Sequence, residues 1–164
     1  MAEEKKEQKY VDFDSSFDFE AYIPYCVVRT QLWMHRAINY ESLPNVKAIA
    51  SVSKTEVRVI MLVATRQGII PSQIADTMGF DRALVTRAIS TLVKKGLIYT
   101  KAMDKDQRSK ALYITEKGSA LCNELITVFE SFSEKLEEVI SAEEKQTLIE
   151  ILNKLVVVSQ NHDS

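Results

Sequence analysis

The sequence predicts a mainly α-helical fold in which a helix-turn-helix and a two-stranded β-wing are flanked by long helices. Only four glycines and three prolines interrupt its 164 residues. Apolar residues recur every three or four positions through the long flanking segments, which is helical spacing. Between these segments, residues 72–110 contain a short helix, a glycine turn, a second helix and two β-rich runs joined by a charged loop.

The segments before the helix-turn-helix are predicted to be an arm, a helix and a connection. Residues 1–18 mix charges with scattered aromatic residues without a sustained period, so we expect a flexible N-terminal arm. Residues 19–40 have near-helical apolar spacing, and Pro24 requires that the first turn of the helix include it. The segment 41–52 contains Pro44 and is predicted to connect this helix to the next.

The next helix begins with the signature of a capping box, because Glu56 follows Ser53 at the spacing that lets each side chain bond the other's backbone. We expect it to continue to Arg66 and to end before Gly68. Its predicted apolar stripe comprises Val57, Ile60, Met61 and Ala64.

Two facing apolar sets predict the helix-turn-helix. They are Ile74, Ala75 and Met78, then Leu84, Val85 and Ala88. Gly79 lies between them and can adopt a positive φ without a Cβ penalty. Asp81 is suited to cap the second helix, which is expected to end at Lys94 and Lys95, followed by Gly96.

Residues 97–100 and 111–114 are rich in β-forming residues and bracket the polar run 103–110, so they are predicted to pair as a wing. Thr115 can then cap a long helix, and a second capping box at residues 141–144 predicts a final helix. Apolar residues recur with helical spacing through both helices.

A small lobe cannot cover three long amphipathic helices, so we expect a symmetric homodimer whose interface comprises residues 19–40 and 116–158. The predicted organisation is an arm at 1–18, an N-terminal dimerisation helix and connection at 19–52, a winged helix-turn-helix lobe at 53–115, and C-terminal dimerisation helices at 116–164.

Positive charge is concentrated in residues 81–110, where eight basic residues and three acidic residues give +5 in a chain of net charge −2. The rest of the chain therefore carries −7. This distribution predicts a basic face for phosphate on an acidic body. No apolar run approaches the roughly 20 residues of a membrane span, and residues 1–19 lack the apolar core of a signal peptide. We therefore expect a cytoplasmic protein without membrane contact.

Three motifs follow one another in this part of the chain. They are Val85-Thr86-Arg87 with Leu92 leading into Lys95-Gly96-Leu97-Ile98, the wing run Asp104-Lys105-Asp106-Gln107-Arg108, and Ile114-Thr115-Glu116-Lys117-Gly118. With the order of helices around them, these motifs resemble the MarR family of winged-helix regulators over residues 20–158. The chain differs at Ala83, where many members carry a small polar residue or proline, and in its longer N-terminal arm.

The resemblance implies a homodimeric transcriptional regulator, by family default a repressor, that binds double-stranded DNA at a pseudo-palindromic operator with half-sites about 10 bp apart. The predicted DNA-contacting residues are Ser72, Gln73, Arg82, Ala83, Thr86, Arg87, Lys105, Asp106, Arg108 and Lys110. Arg108 is similar to the family's minor-groove arginine, and Asp106 would orient it.

Several charged residues in this part of the chain also have a structural interpretation. Arg87 is equally consistent with a bridge from the second helix to a carboxylate. Lys94 and Lys95 are consistent with a solvated helix end, where cations are common. Asp106 is consistent with a residue that only holds the wing together.

By resemblance, a small aromatic or anionic effector would bind between the dimerisation helices and the lobe. The candidate lining residues are Trp33, His35, Arg36, Tyr40, Met61 and Arg66, although aromatic and methionine residues at helical spacing are more often core. Cys26, with Tyr22, Tyr25 and Tyr40 as candidate neighbours, has some likeness to the family's peroxide-sensing branch, but a cysteine that merely packs is more common.

Other function classes have less support in the sequence. A winged-helix module that binds proteins and no operator is the alternative, since Ala83 has little base-reading capacity. We expect no enzymatic activity and no cofactor or metal, because the sequence has no nucleophile elbow, phosphate-binding glycine loop or cluster of metal ligands.

Overall fold

The structure, a computed structural model, describes residues 16–38, 52–103 and 106–160, and the side chains of residues 103 and 106–109 lie outside the description. The fold is mainly helical with one two-stranded sheet, as predicted. The helices are α1 (Ile23–Ala37), α2 (Lys54–Thr65), α3 (Pro71–Met78), α4 (Arg82–Lys94), α5 (Glu116–Glu137) and α6 (Ala142–Gln160), and the strands are β1 (Ile98–Met103) and β2 (Asp106–Ile114). The chain divides into two units between Ala37 and Ile38.

Helix α1 belongs to the first unit and has no buried residue. It begins at Ile23, four residues later than predicted, and Pro24 lies in its first turn as expected. The late start has a local cause, since Asp18 Oδ1 accepts hydrogen bonds from the backbone N–H groups of Glu20 and Ala21 at 3.0 and 3.1 Å. These hydrogen bonds to the Asp18 side chain hold the backbone in a turn, which competes with helix formation before Ile23.

The core of the second unit lies among α2, α3, α4, the wing and the first half of α5. Its fully buried side chains are Val59, Ile60, Val63, Ile74, Val85, Leu92, Ile98, Leu112 and Leu125. The predicted stripe on α2 covers only part of its buried face: Val57, Met61 and Ala64 pack half-buried against the core, and the fully buried Val59 and Val63 were not predicted. Helix α2 packs against α4, β2 and α5 together, so its buried face is wider than a single stripe.

The helix-turn-helix forms as predicted. Gly79 has φ of +62°, and the N–H of Phe80 donates to the carbonyl of Ala75 at 3.1 Å. Asp81 caps α4 by accepting from the N–H groups of Ala83 and Leu84 at 2.8 and 3.2 Å. These contacts fix the angle at which α4 leaves the turn.

The wing is longer than the β-rich runs predicted, because strand pairing continues into the polar segment, where backbone bonds do not require apolar side chains. A third segment joins it. The N–H of Gly68 donates to the carbonyl of Leu112 at 2.8 Å, and the N–H of Leu112 donates to the carbonyl of Ile69 at 2.9 Å. The sequence did not predict this third segment, because the two residues between Gly68 and Pro71 are too few to show the alternation typical of a β-strand.

The last two helices differ in burial. Thr115 caps α5, and the capping box predicted at Ser141 and Glu144 is present. Helix α5 buries Leu121, Cys122, Leu125 and Val128, whereas α6 buries none of its residues. Among the described helices, none is long and apolar enough to cross a lipid bilayer.

Candidate nucleic-acid interface

One face of α4 is turned to solvent. Arg82, Ala83, Thr86 and Arg87 are all exposed, whereas the residues that alternate with them at helical spacing, Val85, Ala88, Ile89 and Leu92, are buried. The Thr86 hydroxyl donates its one proton to the carbonyl of Arg82 at 2.8 Å, so toward a partner its oxygen can act only as an acceptor. The exposed face therefore offers two guanidinium groups, a hydroxyl oxygen and two methyl groups to an extended partner.

The carboxylate bridge considered for Arg87 is not among the ion pairs of the described residues, which join Lys95 to Glu56 and Lys145 to Glu137. Its side chain is exposed on the same face of α4 as Arg82. The geometry thus favours an outward role for Arg87 over a structural one.

Lys95 has a structural role that the sequence interpretation missed. Its Nζ lies 2.5 Å from Glu56 Oε2, and the two side chains are 28% and 11% exposed. Glu56 also accepts from the N–H of Ser53 within the predicted capping box, so one carboxylate joins the start of α2 to the end of α4. The expectation of a solvated helix end was wrong for Lys95, although Lys94 is exposed. A partner 39 positions away leaves no local signal in the sequence.

The start of α3 presents Ser72, which is half-buried, and Gln73, which is exposed. Gln73 Oε1 accepts from the backbone N–H of Ile70 at 3.1 Å and so supports the helix start, where the N-cap residue has no polar side chain. Its amide NH₂ is the part of this side chain suited to donate to a phosphate oxygen.

In the wing, Lys110 is exposed, as is Lys101, which was not among the predicted contacts. Lys105 lies outside the described residues. Asp106 and Arg108 are described only as backbone of β2, and their side chains lie outside the description. The minor-groove assignment of Arg108 and the supporting role of Asp106 therefore stay predictions.

The six predicted effector residues are divided between the two units. In α1, Trp33 and Arg36 are exposed, with Arg36 Cζ 5.2 Å from the centroid of the Trp33 ring, and His35 is half-buried. In the second unit, Met61 packs half-buried against the core, and Arg66 is exposed beside an open depression of about 440 Å³. Tyr40 lies outside the described residues.

The two thiols are in different environments. Cys26 is half-buried, and its Sγ donates to the carbonyl of Glu20 at 2.9 Å, near an aromatic cluster in which the rings of Phe19 and Tyr25 are 4.2 Å apart. Burial raises the pKa of the Cys122 thiol to about 11, so Cys122 is protonated at neutral pH and is a poor nucleophile.

No group of three or more histidine, cysteine or acidic residues in the described part of the chain is arranged to hold a metal ion.

Comparison with known proteins finds a family match within the lobe. The family model described as MarR family matches residues 52–110. Among solved structures, the transcriptional regulator SlyA is 24% identical, with 82% of this chain and 95% of that chain covered and a TM-score of 0.67. FabT of Streptococcus pneumoniae in complex with DNA is 19% identical, with coverage of 88% and 99% and a TM-score of 0.67. PcaV of Streptomyces coelicolor, solved with its natural ligand, is 14% identical, with coverage of 88% and 99% and a TM-score of 0.71. At these identities the structural likeness establishes the fold.

Proposed function

We propose that this chain, whose residues 52–110 match the family model described as MarR family, is a transcriptional regulator of that family that binds double-stranded DNA as a homodimer. Its operator would be pseudo-palindromic, and the default outcome of binding would be repression. A small aromatic or anionic effector would release it.

The exposed face of α4 carries this proposal. An α-helix fits the major groove, and the outward side chains of such a helix reach the base edges. Arg82 and Arg87 can form bidentate bonds to guanine, and the methyl groups of Ala83 and Thr86 can contact thymine. The concentration of positive charge in residues 81–110 would supply the salt-dependent attraction to phosphate.

Contacts with the DNA backbone would come from residues on either side of α4. Ser72 and the amide NH₂ of Gln73 lie at the start of α3, where backbone N–H groups also favour phosphate. In the wing we assign phosphate contacts to Lys105 and Lys110 and a minor-groove contact to Arg108, held by Asp106. These contacts would set the register on the duplex, while α4 would read the bases.

The dimer is supported by α1 and α6, whose apolar side chains are extensively exposed. In α6 the residues at least 39% exposed are Leu148, Ile149, Ile151, Leu152, Val156, Val157 and Val158. A second copy of the chain would cover such a surface, as symmetric homodimers usually do.

The effector would act on this assembly by favouring one separation of the two α4 helices over another. We assign its contacts to Trp33, His35, Arg36, Tyr40, Met61 and Arg66. PcaV, a neighbour of the same fold, is solved in complex with its natural ligand, which supports the proposal of an effector site. Oxidation of Cys26 is the second route of release that we propose.

The test begins with selection of duplexes from a random DNA pool by the wild-type protein. For the best duplex, we expect Arg82→Ala and Arg108→Ala each to lower affinity by about 10-fold or more, since a base contact of this kind contributes about 1–3 kcal/mol. Fluorescence anisotropy at several salt concentrations measures both the affinity and the salt slope.

Lys54→Ala is the matched control, because Lys54 is exposed at the start of α2 and is not among the proposed contacts. It should leave the affinity within about 2-fold of wild type. If no sequence is enriched, or if both arginine variants bind like wild type, operator binding is refuted. A winged-helix module that binds proteins then becomes the better interpretation.

A further inference from the structure

The segment that follows α4, residues 95–97, is bound to the first turn of α5; we call it the α4 exit. The Thr115 N–H donates to the carbonyl of Leu97 at 3.1 Å, and its one hydroxyl proton is shared between the carbonyls of Gly96 and Leu97, whose oxygens lie 2.8 and 3.0 Å from Oγ1. Lys117 Nζ donates to the carbonyl of Lys95 at 2.8 Å. Carbonyl groups at a helix end that would otherwise need water are thus satisfied by another helix.

The same junction between the α4 exit and α5 is tightly packed. A Cβ atom added at Gly118 would lie 2.0 Å from the carbonyl oxygen of Leu97 and 2.9 Å from Ile114 Cγ1. On its other side, the α4 exit is held to α2, because the Lys95 side chain pairs with Glu56. Helix α4 therefore cannot turn about its C-terminal end without breaking contacts to α2 or to α5.

We propose that Thr115 and Lys117 are positioning residues that transmit the orientation of α5 to α4, and thereby set the half-site separation that the dimer prefers. This inference rests on the proposed DNA-binding function. In a dimer joined through the helices outside the lobe, the separation of the two α4 helices depends on the angle between α4 and α5. The hydrogen bonds that these two residues donate at the α4 exit fix that angle, although neither side chain is among the predicted DNA contacts.

Lys117 gives the cleaner test, because its side chain is exposed and its replacement leaves the core intact. Lys117→Met keeps the aliphatic stem and removes the donor to the Lys95 carbonyl, whereas Lys117→Arg keeps both charge and donor capacity. Thr115→Val removes the hydroxyl at nearly constant volume, and Thr115→Ser keeps it. Lys54→Met is the control for the loss of one positive charge.

The measurement uses the full-length dimer and the selected duplex rebuilt with one or two base pairs added or removed between its half-sites. For the wild type, we expect affinity to fall at least 10-fold when the spacing changes by one base pair. In Lys117→Met and Thr115→Val, that ratio should fall to less than 3-fold, and Lys117→Arg and Thr115→Ser should restore it. Lys54→Met should keep the wild-type ratio.

A purely structural role would lower the affinity for all spacings equally and leave the ratio unchanged, and this result would overturn the proposal. An unchanged ratio at unchanged affinity would overturn it as well. A wild-type protein that selects no duplex at all would instead refute the DNA-binding function on which the proposal rests, so the two failures are distinguishable.

Discussion

The lobe and the flanking helices use apolar residues in opposite ways. In the lobe, side chains such as Ile60, Leu92 and Leu112 are completely buried by their own chain. In α1 and α6 no residue is buried, and Trp33 and Val158 are 64% and 59% exposed. The lobe thus has its own core, whereas the stability of the flanking helices must depend on surfaces outside themselves.

The energetic difference is large. Complete burial of one aliphatic side chain stabilises a protein by about 1.5–3 kcal/mol. The exposed residues of α6 together therefore lack several times that stabilisation in the single chain. The order of effects expected from substitutions follows from this contrast. Changes at the centre of the lobe should destabilise each chain, and changes in α6 should act through association between chains.

The largest effect is expected for Gly118→Ala. Helix propensity alone would favour alanine over glycine at this position by up to about 1 kcal/mol. The added Cβ would instead overlap the Leu97 carbonyl at 2.0 Å, where backbone atoms cannot move aside cheaply. We expect the free energy of unfolding, measured by chemical denaturation, to fall by at least about 4 kcal/mol.

Ser119→Ala is the control for this substitution, because Ser119 is exposed on the same helical turn. It should change the unfolding free energy by less than about 0.5 kcal/mol. A Gly118→Ala protein as stable as wild type would show that the junction between α5 and the lobe is not tightly packed.

The next effect concerns the flanking helices. Ile151→Asp places a carboxylate within the apolar surface of α6, where Ile151 is 47% exposed in the single chain. If a second copy covers this surface, the variant loses apolar burial and must desolvate a charge. We expect the dimer dissociation constant, measured by sedimentation velocity, to rise about 100-fold.

Asn153→Asp adds the same charge two positions further along α6, on the opposite side of the helix, where the side chain is also exposed. It should leave dimerisation unchanged within about 3-fold. Equal dissociation constants for wild type and Ile151→Asp would remove α6 from the interface.

Local signals predicted the lobe well. The capping residues Ser53, Asp81 and Thr115 and the turn glycine Gly79 do in the structure what their residue types favour, because each acts on backbone groups within four positions. The burial of Cys122 was also foreseeable, since it lies within the apolar stripe of α5.

Features that depend on distant residues were missed. The Lys95–Glu56 pair and the bond from Leu112 to Ile69 join positions far apart in sequence, and no periodicity marks them. The width of the buried face of α2 could not be inferred from the helix alone, because it depends on three neighbouring elements. At the candidate site, the outward face of α4 could be predicted from the helical spacing of its residues. The role of Lys95 could not.

The smallest effect is expected at Cys122, in the buried half of α5. Burial raises the pKa of its thiol from 9.0 to about 11 in the folded chain, so the unfolded chain ionises first as pH rises. The stabilisation associated with the neutral buried thiol is complete below pH 9 and is lost as pH approaches 11.

Between pH 8 and pH 10, wild type should therefore lose about 1 kcal/mol of unfolding free energy relative to Cys122→Ala, as measured by urea denaturation at each pH. Other titrating groups cancel in this difference, because both proteins contain them. Cys26→Ala is the control, and it should keep the loss seen in wild type. Parallel pH profiles for wild type and Cys122→Ala would mean that the thiol is reached by water, and that the core of the lobe ends before Cys122.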